Sequence, residues 1–178
     1  DLEHWQTPAL IDNRPYEVIT KTDREVTFRH EAKIKNYSDT RFLIRIDRTV
    51  RLLDRSSIDE LLDVKLPPSI DIVAYETENI LTNIGEAAWT KHGGLLSIWI
   101  LGMYKHSTDT KVLMPYVEGD EADLVPIVNA DYFGKVPADR LRVKGGVIRF
   151  SADGKYRSKI GLSPKRAKSI LGSYDATR

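Results

Sequence analysis

Histidines are the first residues to weigh for chemistry near neutral pH, because an imidazole exchanges its proton there. The chain has four, His4, His30, His92 and His106, and no two stand at the short spacings that set a pair of imidazoles on one metal. With no cysteine either, neither a metal centre nor another cofactor is expected. His30 falls on the apolar side of an alternating segment, beside Phe28 and Ala32. It reads as a core histidine with a hydrogen-bonded ring or as an inward acid or base. His92 lies in Trp89-Thr90-Lys91-His92-Gly93-Gly94, which gathers an aromatic ring, two titratable groups and two flexible residues. Such a loop can mount a site, or it can be a glycine connector with Trp89 filling the edge of the core. His30 and His92 are therefore the candidate catalytic residues. Glu76 and Glu78, two apart, could divide acid and base roles, although surface carboxylates at a bend are the plainer reading.

Binding chemistry points elsewhere. Arg140, Arg142 and Lys144, then Lys155, Arg157 and Lys159, alternate with other side chains, so two segments each present a basic stripe. Residues 1 to 134 carry 15 basic and 23 acidic side chains and residues 135 to 178 carry 12 and 3, so a net charge of +1 conceals an acidic majority and a basic end. Nucleic acid is not the expected partner, because the whole chain lacks the strong positive excess of such binders. Hydroxyl-rich or anionic small ligands, sugars included, suit Arg, Lys and Asp beside Tyr or Trp platforms. Trp89, Lys91, Asp131, Tyr132, Arg157 and Lys159 are the candidate binding residues. No glycine-rich dinucleotide fingerprint, phosphate loop or Gly-x-Ser-x-Gly elbow occurs.

The elements that must carry these residues are strands. From Arg24 to Ile34, Val26, Phe28, His30, Ala32 and Ile34 alternate with Glu25, Thr27, Arg29, Glu31 and Lys33, a period of two. After a turn at Asn36 to Thr40, Arg41 to Leu53 resumes it with Phe42, Ile44, Ile46, Val50 and Leu52, so a long hairpin is predicted. A capping-box pattern, Ser57 with Glu60, opens one short helix over Ser57 to Leu66, stopped by Pro67-Pro68. Strands follow at Ile70 to Tyr75 and Asn79 to Thr82, and Leu95 to Tyr104, almost continuously apolar, reads as the central strand, covered on both faces. Further strands are expected at Lys111 to Val117, around the Gly145-Gly146 turn, at Lys155 to Leu162 and at Ser169 to Tyr174. About nine strands and one helix predict an all-β antiparallel β-sandwich, a single domain over 1–178. The longest apolar run is about half the ~20 residues of a spanning helix, so no membrane span is expected.

Several long phrases carry a resemblance: Phe42 to Leu53, Ala88 to Met103, Asp131 to Leu141 and Gly154 to Pro164. They resemble an uncharacterised bacterial family thought to share the galactose-mutarotase-like supersandwich. The resemblance implies a longer parent, exported or lipid-anchored and hence periplasmic or extracellular, of which this chain is an internal piece. The rest of the parent or a second copy would cover the sheet edges. In aldose epimerases of that superfamily a histidine and a late glutamate act as acid and base on the sugar ring oxygen and anomeric hydroxyl. None of the four histidines here stands in an epimerase motif, and the glutamate would lie beyond Arg178. The function so implied is carbohydrate binding or mutarotase-like chemistry, with the sugar on a concave sheet face. The alternative is a noncatalytic interaction domain of a larger exported protein.

Overall fold

In the computed structural model, which describes residues 7–177, the chain divides into two compact units at Ile100 and Leu101. The expected all-β antiparallel class is what the chain adopts, with eight strands in two four-stranded sheets and three short helices among the described residues.

The first unit opens with α1 (Ala9–Asp12) and a meander of β1 (Glu17–Lys21), β2 (Glu25–Lys35), β3 (Arg41–Leu52) and β4 (Tyr75–Asn83), in the order β1-β2-β3-β4. The predicted hairpin forms, with Ile34 opposite Phe42, Ala32 opposite Ile44 and His30 opposite Ile46. Because side chains alternate across a strand, this register gathers the apolar set on one face. Ala32, Phe42 and Ile44 are buried, and Ile11, Ile46, Leu81 and Trp89 pack on them. Each large buried side chain is worth about 1.5–3 kcal/mol. The opposite face is a lattice of charge: Asp47 accepts from Arg29 and Arg45, and Arg51 donates to Glu25 on one neighbouring strand and Glu76 on the other. β1 had no counterpart in the sequence reading. Its five residues are all exposed, so burial left no period in them.

The helix between β3 and β4 is α2 (Arg55–Leu62), two residues earlier than expected. Asp54, not Ser57, caps it, accepting from the Ser57 amide at 2.9 Å. β4 runs straight through the bend expected at Glu76 and Glu78, and Ile70 to Ala74 stays irregular.

The central strand expected at Leu95 to Tyr104 does not form. These residues have no regular structure, and Trp99 is 62% and Met103 87% exposed. An apolar run reports affinity for cover, whereas a strand also needs a ladder partner for its amides and carbonyls, and none pairs with this one.

The second unit contains β5 (Lys111–Pro115), α3 (Glu121–Leu124), β6 (Leu141–Lys144), β7 (Val147–Ser151) and β8 (Gly172–Tyr174), in the sheet order β6-β7-β5-β8. Gly145 and Gly146, at φ of +60° and +70°, make the expected tight turn between β6 and β7. Val112, Tyr116, Val136 and Ile148 are buried in this unit. The strand expected over Lys155 to Leu162 is replaced by irregular chain with a single bridge at Gly161.

Candidate functional site

The irregular segments of the second unit enclose a cleft of about 470 Å³, its walls including Val125, Asn129, Asp131, Tyr132, Gly161 and Ser163. Two reciprocal bonds hold the walls together: the Asn129 amide donates to the Gly161 carbonyl and the Gly161 amide returns the bond, each at 2.9 Å. Asn129 Oδ1 also accepts from the Asp131 amide at 3.1 Å, which turns the chain toward Tyr132. A Cβ on Gly161 would lie 2.8 Å from the Tyr132 hydroxyl, so glycine is what lets the phenol lie against the backbone.

Beneath this wall lies Arg166, fully buried. Its Nε and Nη2 donate to the Val125 carbonyl at 2.9 and 2.8 Å, and its Nη1 to Val117 and Gly119 at 2.8 and 3.1 Å. Val125, a β-branched residue at φ 59°, sits where such residues rarely go, and two of the four bonds fasten its carbonyl. The cleft wall is thus pinned from inside. Ser163 Oγ is buried without a hydrogen-bond partner among the described residues. A buried hydroxyl left so is rare, and an enclosed water is the partner that suits it.

Cations stand over the ring of Tyr132, which lines the cleft, and over that of Phe133, the next residue in the chain. Lys159 Nζ lies 4.0 Å from the Tyr132 centroid and Arg157 Cζ 4.5 Å from that of Phe133. Further along, Arg140 Cζ lies 5.4 Å over Tyr156 and Arg140 also pairs with Asp153. The Arg140 hydrogen bond, followed by the Lys155 amide, lowers the Asp153 carboxyl to about 2. Asp131, Tyr132, Arg157 and Lys159, dispersed over some thirty residues of sequence, therefore share one neighbourhood.

The remaining candidates lie in the first unit. Trp89 packs edge-on against Phe42 at 5.8 Å, the filling role. Lys91 and His92 are exposed in a turn closed by the Gly94 amide on the Thr90 carbonyl at 2.8 Å. His30 stacks on Tyr16 at 4.7 Å, and its Nε2 is buried without a partner among the described residues. Burial raises the Tyr16 phenol, an effect the Arg48 charge opposes. His30 and His92 are on different supports, a strand and a turn, and no contact joins them. His4 and Trp5 lie outside the described residues. No group of three or more His, Cys, Asp or Glu able to hold a metal exists among the described residues.

Sequence reasoning missed Asn129, Ser163, Arg166, Tyr16 and Arg48. Only Arg48 left a signal: it occupies an apolar position in the alternation of β3, between Ile46 and Val50. Arg166 stands in Lys165-Arg166-Ala167-Lys168, where nothing in the sequence sets it apart from its basic neighbours. Compared with known proteins, residues 1–178 match the model of a family of unknown function, DUF6786. No curated protein and no solved structure matches the chain.

Proposed function

Since the chain belongs to the DUF6786 family, whose function is unknown, we propose from the chemistry of its cleft that it is a carbohydrate-binding protein, with the saccharide held between residues 125–132 and 161–163. The observation that carries this is a cleft whose wall sets the Asn129 side chain, the Asp131 carboxylate and the Tyr132 phenol side by side. Such alternating donors and acceptors on a partly apolar wall suit a polyhydroxylated ligand. The site is made of loops rather than a sheet face, and the reading is for binding. Kinship with galactose-mutarotase-like proteins and an exported location belong to the proposal on the strength of the resemblance alone. Among the described residues no helix is long and apolar enough to cross a membrane.

Asp131→Ala tests the reading. Asp131 is exposed, so its removal should leave thermal stability unchanged. If the carboxylate serves a saccharide, affinity for the best ligand of a calorimetric panel should fall roughly tenfold, the worth of one good hydrogen bond. Absence of heat from every neutral and acidic saccharide with the folded chain would remove the proposal.

A second reading, a noncatalytic interaction domain, is favoured by the exposed apolar run from Leu95 to Met103. Arg157→Ala and Lys159→Ala separate the two: lost binding at unchanged stability speaks for the cleft, and a lowered melting temperature without ligand speaks for scaffolding.

A further inference from the structure

The ring of Tyr132 in the cleft wall and that of the adjacent Phe133 are not bare platforms. Arg157 covers a face of Phe133 and Lys159 a face of Tyr132, with Lys159 Nζ also 5.9 Å from the Phe133 centroid. A neutral sugar gains from aromatic residues by laying its C–H face on an open ring, and here cations occupy ring faces that such a sugar would use. A cation over a ring keeps its full charge and loses some freedom, which prepares it to meet an anion.

Around Arg157 basic side chains outnumber acidic ones. Residues 131 to 163 carry eight basic and three acidic side chains. Of the three, Asp153 is committed to Arg140. Among the described residues no carboxylate lies within ion-pair distance of Arg157. Its guanidinium is weakly hydrated and forked, the geometry that takes a carboxylate or sulfate through two parallel bonds. Asp131 fits the same ligand at its other end, because a carboxylate accepts from sugar hydroxyls while repelling a second anion. The neighbourhood is thereby polarised, hydroxyl-seeking in the cleft and anion-seeking beside Tyr132 and Phe133.

We infer that the ligand is an acidic saccharide, bearing a carboxylate or sulfate that meets Arg157, with Lys159 beside it, while its hydroxyls enter toward Asp131 and Asn129. The inference rests on the cleft being a saccharide site. Calorimetry of the whole chain with galacturonate oligosaccharides, their methyl esters and sulfated galactan oligosaccharides tests it. The free acid or the sulfated oligomer should bind at least tenfold more tightly than the ester, and whichever is tighter names the anionic group. Added salt should weaken the charged ligands and leave the ester unaffected. Arg157→Gln, and independently Lys159→Gln, should lower affinity for the charged ligand several-fold with the ester unchanged and the melting temperature held. Equal binding of acid and ester would overturn the acidic specificity and leave the saccharide site standing. Binding of none of the three by the folded chain, with heat from a neutral saccharide, would overturn the acidic specificity alone, and heat from no saccharide would overturn both. Tighter binding of a single-stranded oligonucleotide than of any saccharide would also overturn the inference.

Discussion

Arg166 lies fully buried, and no carboxylate pairs with it among the described residues. Its charge is met by the carbonyl dipoles of Val117, Gly119 and Val125, which together face all three guanidinium nitrogens. A lysine cannot replace it, since one ammonium is a point donor and the carbonyls are spread around a planar fork. Arg166→Met should leave three carbonyls short of donors and release Val125 from its left-handed backbone. The expected loss is about 3 kcal/mol in urea unfolding, from several unsatisfied groups at about 1 kcal/mol each, with Arg166→Lys recovering little of it. A variant as stable as the parent would show the bonds to be incidental. At this scale the sequence was readable by residue type alone: it picked out Asp131, Tyr132, Arg157 and Lys159 as suited to a polar ligand, and it had no means of ranking Arg166 above Lys165 or Lys168. Burial, which separates them, depends on distant segments.

Among the elements, hairpins were legible and isolated segments were not. β2 and β3 pair across a five-residue turn, so the alternation of each is reinforced by a neighbour close in sequence. The same holds for β6 and β7 across Gly145-Gly146. Lys155 to Leu162 has an equally good alternating pattern, yet without a long-lived ladder it stays irregular. Helix α2 was legible as a helix, and its start was misplaced because Asp54 and Ser57 are both capable caps. Asp54 accepts from the Ser57 amide, chiefly, and from the Ser56 hydroxyl, which lowers its carboxyl to about 2. An unfolded aspartate titrates near ~3.9. The folded form therefore binds its proton more weakly, and the stabilisation is complete above about pH 4 and lost as pH falls through about 2. Asp54→Ala should lower the melting midpoint by a few degrees at pH 7, and the gap to the parent should close on acidification across that window. A gap that persists unchanged at the acid end would mean that the carboxylate charge is not what holds the helix start.

The whole molecule comprises two compact units, one to Ile100 and one from Leu101. They differ in charge: residues 1–100 carry 13 basic and 17 acidic side chains, and residues 101–178 carry 14 and 9. Between the last strand of the first sheet and the first strand of the second lies the exposed apolar run that sequence alone had placed at the centre of a core. Irregular, accessible backbone of this kind is where proteases enter. Limited chymotrypsin digestion should cut first after Trp99, Leu101 or Met103, and yield two fragments that correspond to the units. Initial cleavage within β2 or β3 instead would contradict the exposure of this segment.

What the sequence determined by itself is local: strands where side chains alternate beside a near neighbour, a two-glycine turn, one capped helix, the absence of cysteine and the placing of charge. Tertiary structure decided which distant residues meet. Gly161 bonds back to Asn129, Lys159 reaches Tyr132, and Arg166 reaches carbonyls more than forty residues away. It also decided that, within Leu95 to Met103, Leu96 packs on the core while Ile98 to Leu101 and Met103 are exposed. The physical reason is the same in each case. Periodicity is a property of the chain's own geometry, whereas burial and contact require a partner, and a partner distant in sequence leaves no mark on the segment that will meet it.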